Sequence, residues 1–381
     1  MKIAIIGSGL MGRAVMYDLS RAEGMEKVGL YDFDVDLAEE IARRYGNDLT
    51  VAGKIDAGDE DAVANLLTEY DACVSAVTYR YNPGLTRAAI RAHTHFFDLG
   101  GNNDVVKAQL EMSDEAKAAD VLVIPDCGLA PGMVSILAAA GLKEFDKVTS
   151  LKIRVGGLPQ NPRPPLNYQM VFSSEGLINE YWEPVVILEE GKKKTVNPMT
   201  GIETMEFDGI GTLEAFYTSG GTSTLPDTYA GVVDFLDYKT IRYPGHCQVF
   251  KPMLEIGLGS RSEIRVGDVR VEPREVFKKV LEKNLSFTDP DMVLVRVTFE
   301  GIKDDKARTL SYEIVDRQDS RSGLTAMMRT TAFPVAIIAW MACAGKIEAR
   351  GVIPQELAVD SAFFITQLKK RNILLTVNTT D

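Results

Sequence analysis

Lys2-Ile3-Ala4-Ile5-Ile6-Gly7-Ser8-Gly9-Leu10-Met11-Gly12 stands at the head of the chain, and its reading decides the fold. An apolar run of strand length leads into Gly-x-Gly-x-x-Gly, and a helical pattern over 11–21 follows. Gly7 permits the tight turn out of the strand. Gly9 leaves room for a pyrophosphate against the backbone, and Gly12 lets helix and strand pack closely. The free N–H groups and positive dipole end of that helix favour phosphate, with Ser8, Leu10 and Met11 carried in the same loop. The next expected strand ends at Asp32, twenty positions after Gly12. Its carboxylate suits the ribose hydroxyls of an adenosine and repels a 2′-phosphate, which points to NAD as the cofactor. Arg43 and Arg44 follow closely enough to leave NADP open, and a solvated strand end is the bland reading of Asp32.

Working outward, short apolar runs at 2–6, 27–31, 50–55, 72–77, 95–98 and 121–125 alternate with helical patterns at 11–21, 36–45, 60–69, 83–92 and 105–119. Runs this short separated by helices imply parallel strands joined by crossovers. Six of them complete a doubly wound Rossmann sheet, with its site outside the carboxyl ends of the strands. The loops 76–82, 98–103 and 126–132 lie at those ends, which makes Ala76, Val77, Asp98, Gly100 and Asp126 candidates for the cofactor's neighbourhood. A plain turn explains 98–101 equally well. Asp56 either touches adenine or caps the helix that starts near Asp59, and capping is the commoner role.

The pattern changes after Ile124. Longer β candidates at 150–155, 185–188, 238–242, 262–271, 293–300 and 309–315, with helices at 173–181 and 274–285, predict a second α/β domain built on a mixed sheet. The Pro-rich 158–166 and Gly-rich 209–221 read as loops. From about Thr330 the pattern is helical, Pro334 fits only near that helix's start, and a return of this segment onto the first domain is expected. The boundaries expected are 1–125 for the Rossmann domain, 126–329 for the mixed α/β substrate domain and 330–381 for the C-terminal helical segment.

Composition narrows the function. A net charge of −12 argues against nucleic acid or an anionic membrane as partner. Four scattered cysteines and three histidines, with no CxxC and no HExxH, give no metal site and suit a reducing cytoplasm. The N-terminal apolar run is too short for a secretion signal, and the apolar stretch 333–344 is too short to cross a bilayer.

The second domain holds two polar clusters. Thr218, Ser219, Gly220 and Thr222 belong to a run of hydroxyls and glycines from Tyr217 to Thr224, suited to a substrate carboxylate; a polar loop capping a helix is the plainer reading. In Lys239-Thr240-Ile241-Arg242-Tyr243-Pro244-Gly245-His246, strand alternation puts Lys239 and Ile241 on one face and Thr240 and Arg242 on the other. Arg242 can grip a carboxylate through two hydrogen bonds. His246 has an intrinsic pKa suited to proton transfer near neutrality, although a lone histidine is more often structural. His93 and His95 read as structural. Asp126 can hold an ammonium group or take its proton. Glu175 can do likewise or serve as a first-turn helix acid.

Taken together, 7–12, 56–59, 98–101, 125–132, 214–225, 239–246 and 350–354 make the chain resemble the saccharopine dehydrogenase superfamily over essentially its whole length, and within it the lysine 6-dehydrogenase branch. The resemblance implies an enzyme: NAD-dependent oxidative deamination of the ε-amino group of L-lysine. Its products would be ammonia and allysine, which cyclises to a piperideine carboxylate. It also implies a homo-oligomer with a small amino acid as substrate. The base would be Asp126 or His246, with Lys239 in the same segment. Glu175 would hold a charged end of the substrate, and Arg242 with the 218–224 hydroxyls its α-carboxylate. Saccharopine or carboxynorspermidine dehydrogenation is the neighbouring alternative; it needs a second anion site, for which Arg154 and Arg163 are the candidates, and a different basic or diamino acid as substrate is a closer rival still. An NAD-binding regulator on a dehydrogenase scaffold is the alternative of another class, disfavoured by the retained polar groups.

Overall fold

The computed structural model describes residues 1–380. These divide into two compact units: Met1–Lys143 with Ser223–Leu225 and Met328–Ile373, and Glu144–Thr222 with Pro226–Met327 and the residues from 374 onward. The chain therefore divides differently from the boundaries at 125 and 329. The helix after the first sheet stays with the first unit, as does the short insert at Ser223–Leu225.

In the first unit, β1 (Lys2–Ile6), β2 (Lys27–Asp32), β3 (Thr50–Lys54), β4 (Ala72–Ser75), β5 (His95–Asp98) and β6 (Leu122–Ile124) are all parallel. Their order is β6-β5-β4-β1-β2-β3, so the chain reverses its direction of winding between β1 and β4. A seventh strand, Gly351–Val352, extends the sheet beyond β6; six strands had been expected. Ile3, Ile5, Val28, Leu30, Val74, Phe97 and Val123 are fully buried, as a parallel sheet covered on both faces requires. The pattern at 105–119 is two helices, Asn103–Leu110 and Ser113–Ala118, separated at Glu111 and Met112.

The second unit contains β7 (Lys147–Pro159), β8 (Val185–Glu189), β9 (Lys192–Val196), β10 (Glu203–Phe207), β11 (Gly211–Tyr217) and β12 (Phe235–Arg242). The hairpin β13 (Ile264–Val266) and β14 (Val269–Val271), then β15 (Asp291–Lys303) and β16 (Lys306–Arg317), follow. Gly351–Val352 counts as β17, and β18 (Thr376–Thr380) is last. The main path of the mixed sheet runs β10-β11-β12-β7-β15-β16-β18, with β8 and β9 attached beside β12. Only β12 and β7 run parallel within it. Three expectations fail here. The glycine-rich 209–221 contains strand β11, stabilised by pairing with β10 and β12. The single strand at 262–271 is a hairpin turning at Gly267, whose φ is +59°. The C-terminal part includes β18 rather than helices alone.

The helix Ala326–Cys343 is also longer than expected and carries Pro334 in its interior. The proline removes one helical hydrogen bond, but burial of Val335, Ala336, Ile337, Ile338 and Met341 holds the helix regardless. Its 18 residues are long and apolar enough as a whole to span a bilayer, yet 83% of that stretch is buried inside the protein, as in a core helix. Its first N–H groups, of Ala326 and Met327, bond to the Asp291 carboxylate at 2.7 and 2.9 Å, a side-chain cap supplied from β15.

Candidate functional site

The cradle at the end of β1 follows from three glycines. Gly7 adopts φ +107°, and a Cβ there would lie 2.7 Å from the Ala76 carbonyl oxygen. A Cβ on Gly12 would lie 1.8 Å from the Gly7 carbonyl oxygen. Gly9 meets nothing within 4 Å, so its open side faces away from the protein. It begins the helix Leu10–Leu19 with no side-chain cap, leaving the first-turn N–H groups to a ligand. Beside the cradle is a cleft of about 270 Å³ lined by Gly7, Asp32, Phe33, Asp56, Val77 and Tyr81, among others. The donor set and the missing Cβ atoms fit a dinucleotide.

Asp32 accepts hydrogen bonds from the Ser8 N–H at 2.6 Å, the Ser8 hydroxyl at 2.8 Å and the Asp34 N–H at 3.0 Å. Partial burial pushes its carboxyl up, but these donors outweigh that and hold it below the usual carboxylate range. Asp56 does not cap the following helix; Asp59 does, through the Ala62 N–H. Asp56 instead turns the loop by accepting from the Gly58 N–H at 2.8 Å while it lines the cleft. Leu10 is exposed and Met11 partly buried.

Asp98 and Gly100 form a second cluster rather than part of the cleft wall. Asp98 is fully buried at the end of β5, where it accepts from the N–H groups of Gly100 and Asp126 and from the Gln109 amide. Gly100, at φ +72°, leaves room for Asp126: a Cβ there would overlap the Asp126 Oδ1. Asp126 is 1% exposed, with φ +60°. Its Oδ2 accepts from the Ser223 hydroxyl, and its Oδ1 has no hydrogen-bond partner among the described residues. Thr224 donates to Glu356 at 2.8 Å in the same unit. Burial above all, then the charge of Asp98, pushes the Asp126 carboxyl up to about 8, against the pull of the Ser223 hydrogen bond.

That shift has a sign that can be measured. The fold favours neutral Asp126, so its contribution to stability is full at low pH and is lost as pH rises toward 8. We expect the denaturation midpoint of the wild type to decline as pH rises from about 4 to about 8 and to level off above that. Asp126→Asn, which keeps an acceptor for Ser223 without the charge, should flatten that fall. Parallel curves for the two proteins would remove this account.

In the second unit a polar cluster forms on one face of β12. Thr240 Oγ1 lies 2.7 Å from Thr218 Oγ1. Arg242 is 2% exposed; its Nε donates to the Tyr181 hydroxyl at 2.8 Å and its Nη1 to the Ile241 carbonyl at 2.9 Å. The guanidinium lies 4.8 Å from the Tyr168 ring centre. His246 is tied at both nitrogens: Nδ1 donates to the Leu166 carbonyl at 2.9 Å, so Nε2 accepts from the Tyr181 hydroxyl at 3.1 Å. Burial first, then the Arg242 charge, pulls its pKa down to about 3. It stacks near Phe216 and Phe250. The expected proton carrier is therefore a neutral imidazole that orients Tyr181, and through it Arg242.

Two other expected residues are not brought to this cluster. Lys239 is on the opposite face of β12, paired with Glu203 at 2.6 Å, and Glu203 also pairs with Arg154. Glu175 is enclosed by Arg261, Arg274 and Lys278 at 2.5, 2.9 and 2.8 Å. The acid near Arg242 is Glu180, on the same helix, Ser174–Trp182. Burial raises its carboxyl to about 7, with Arg242 pulling it back. Ser219 binds this helix, its N–H donating to the Glu180 carbonyl at 2.9 Å and its hydroxyl to the Asn179 carbonyl at 3.3 Å. Thr222 is buried nearby in the chain, and Gly220 turns the loop at φ +85°. Glu180, Tyr181 and Tyr168 escaped the sequence reading. For Glu180 and Tyr181 the one signal was an acid set among the buried residues Leu177, Ile178, Asn179 and Tyr181.

Comparison with known proteins supplies the context. Residues 3–124 match the saccharopine dehydrogenase NADP binding domain, and residues 128–374 the saccharopine dehydrogenase C-terminal domain. The NADP-dependent, L-glutamate-forming saccharopine dehydrogenase of Saccharomyces cerevisiae is 23% identical over 291 residues, 74% of this chain and 61% of that protein. The chain thus spans under two thirds of that relative's length. The carboxyaminopropylagmatine dehydrogenase of Synechocystis is 21% identical over 93% of this chain and 92% of its own. In three dimensions, the apo L-Glu-forming saccharopine dehydrogenase of Saccharomyces cerevisiae matches with a TM-score of 0.82 and 19% identity, covering 100% of both chains.

Proposed function

Because this chain belongs to the saccharopine dehydrogenase family, we propose that it is an amino acid dehydrogenase which oxidatively deaminates the ε-amino group of L-lysine with NAD. Lysine, water and the oxidised dinucleotide would give allysine, ammonium, the reduced dinucleotide and a proton. The observation that carries the choice of substrate is the fate of the spare cations. Saccharopine needs more than one anion site, yet Arg154 is consumed by Asp237 and Glu203, and Arg163 pairs with Asp289. Arg242 has no carboxylate within ion-pair distance among the described residues, and it suits a substrate with a single carboxylate.

When bound, the dinucleotide supplies a two-electron hydride acceptor; Gly7, Gly9, Gly12, Ser8 and Asp32 are the residues that would hold it. An ammonium has no lone pair with which to expel hydride, so the reacting amine must first lose a proton. Asp126 is the residue assigned to that proton, since a carboxyl raised to about 8 can exchange with an amine more evenly than an ordinary carboxylate can. It would then assist the addition of water to the imine carbon. Arg242 would fix the α-carboxylate.

NAD is favoured over NADP because the cleft lining includes the Asp32 and Asp56 carboxylates and no lysine or arginine. A 2′-phosphate beside an ionised Asp32 costs several kcal/mol, so kcat/KM for NAD should exceed that for NADP by roughly 100-fold or more. Equal use of both dinucleotides would overturn that preference. A second reading, oxidation of a secondary amine, is favoured by the activities in the names of the yeast and Synechocystis relatives.

Dinucleotide reduction with lysine, ornithine, arginine, diaminopimelate and saccharopine separates these readings. Lysine-dependent reduction with matching ammonia release is the expected result. Activity with saccharopine alone, releasing glutamate and no ammonia, would replace the lysine reading with the second one.

A further inference from the structure

Arg242 and Glu180 are opposite charges that each lack an ionic hydrogen-bonded partner. Arg242 is held in place by neutral groups only: the Tyr181 hydroxyl, the Ile241 carbonyl and the rings of Tyr168 and Tyr181 at 4.8 and 5.8 Å. Glu180 makes no side-chain hydrogen bond among the described residues, although it is only partly exposed. Its position is set from both sides of its backbone. The helix Ser174–Trp182 carries it next to Tyr181, and the Ser219 N–H anchors its carbonyl at 2.9 Å. Tyr181, the next residue on that helix, accepts from the Arg242 Nε at 2.8 Å, which holds the helix against the guanidinium. A guanidinium 2% exposed with no carboxylate in ion-pair contact is costly to keep unless something pairs with it. An α-amino acid head group carries an ammonium and a carboxylate on one carbon, and the tyrosine rings beside the pair favour a cation.

We propose that Glu180 is the receptor for the α-ammonium of the substrate, working with Arg242 on the adjoining carboxylate. This rests on the lysine reading and extends it. With the α-carbon gripped at both charges, the α-amine is unavailable for oxidation and only the distal amine can react. Glu180 is thereby the residue that sets which nitrogen is lost, and it rejects amines lacking an α-amino group. A site built around a buried polar group discriminates strongly against analogues that leave the group unpaired.

The test compares L-lysine with ε-aminocaproate, which keeps the carboxylate and the ε-amine but lacks the α-amine. Wild-type protein should prefer lysine by kcat/KM. Glu180→Gln should lower kcat/KM for lysine by roughly 10- to 100-fold, mainly through KM, and leave ε-aminocaproate unchanged, so the preference collapses. If both compounds lose activity in parallel, Glu180 only supports the fold and the proposal fails; a preference for lysine retained in full also overturns it. Calorimetric binding of the same two compounds to dinucleotide-loaded wild type and Glu180→Gln gives the same comparison without turnover. If another amino acid proves to be the substrate, the lysine reading falls, while that acid and its des-amino analogue test Glu180 in the same way.

Discussion

A Gly12→Ala chain is expected to lose both stability and dinucleotide binding, while Gly9→Ala loses binding alone. The added methyl at position 12 would lie 1.8 Å from the Gly7 carbonyl oxygen and 2.9 Å from its carbonyl carbon. Both are backbone atoms of the turn, so the clash is relieved only by moving the helix Leu10–Leu19 away from β1 or by breaking the turn. Overpacking of this kind costs about 1–3 kcal/mol. At Gly9 the methyl meets no protein atom within 4 Å, and the apoprotein should melt as the wild type does. The same methyl would occupy the space through which a pyrophosphate reaches the backbone, and affinity for NAD should fall by roughly 100-fold, equivalent to about 3 kcal/mol. Thermal melts and NAD titrations of the two variants check this. Wild-type affinity in Gly9→Ala would mean that the phosphates do not approach this loop.

Arg242→Ala should reduce kcat/KM for lysine by roughly 10²- to 10⁴-fold, because two charge-assisted hydrogen bonds are lost together. NAD affinity should be unchanged, since the guanidinium's partners are Tyr181, Tyr168 and Ile241 and none of these lines the dinucleotide cleft. Arg242→Lys should rescue little. An ammonium cannot present the planar fork or lie against the Tyr168 ring in the same way. Steady-state kinetics with lysine, beside NAD titration of each variant, gives the readout. An unchanged KM for lysine in a folded Arg242→Ala protein would sink the carboxylate role.

The parts legible in the sequence are those specified over short stretches. Gly7, Gly9 and Gly12 answer local steric demands, and the alternation of brief apolar runs with helices indicates a parallel sheet. The family follows from combined motifs, and the matches at 3–124 and 128–374 agree with it. Strand β11 was read as loop because Gly209, Gly211, Gly220 and Gly221 surround its Leu213–Tyr217 core, whereas its place is set by pairing with β10 and β12. The sequence reading named Glu175 and passed over Glu180, which lies on the same helix. Only the positions of Arg274 and Lys278 show that Glu175 is already neutralised. His246 carries the intrinsic pKa of any histidine in the sequence; its enclosure by Tyr168, Tyr181, Phe216 and Phe250 is long-range information.

The strand Gly351–Val352 beside β6 bears on how the chain is made. Ser113 Oγ accepts from the Val352 N–H across a separation of 239 residues, so the first unit contains contacts between distant parts of the chain. During synthesis from the N-terminus, β1 to β6 emerge well before the strand that covers the outer edge of β6. Until Gly351 and Val352 arrive, the backbone groups of Leu122, Val123 and Ile124 offer an open edge of apolar residues to any extended segment. Closing so long a loop is also slow. The nascent chain is thus most vulnerable to mispairing while the second unit is being synthesised, and holding that edge unpaired is the service a chaperone would perform for it.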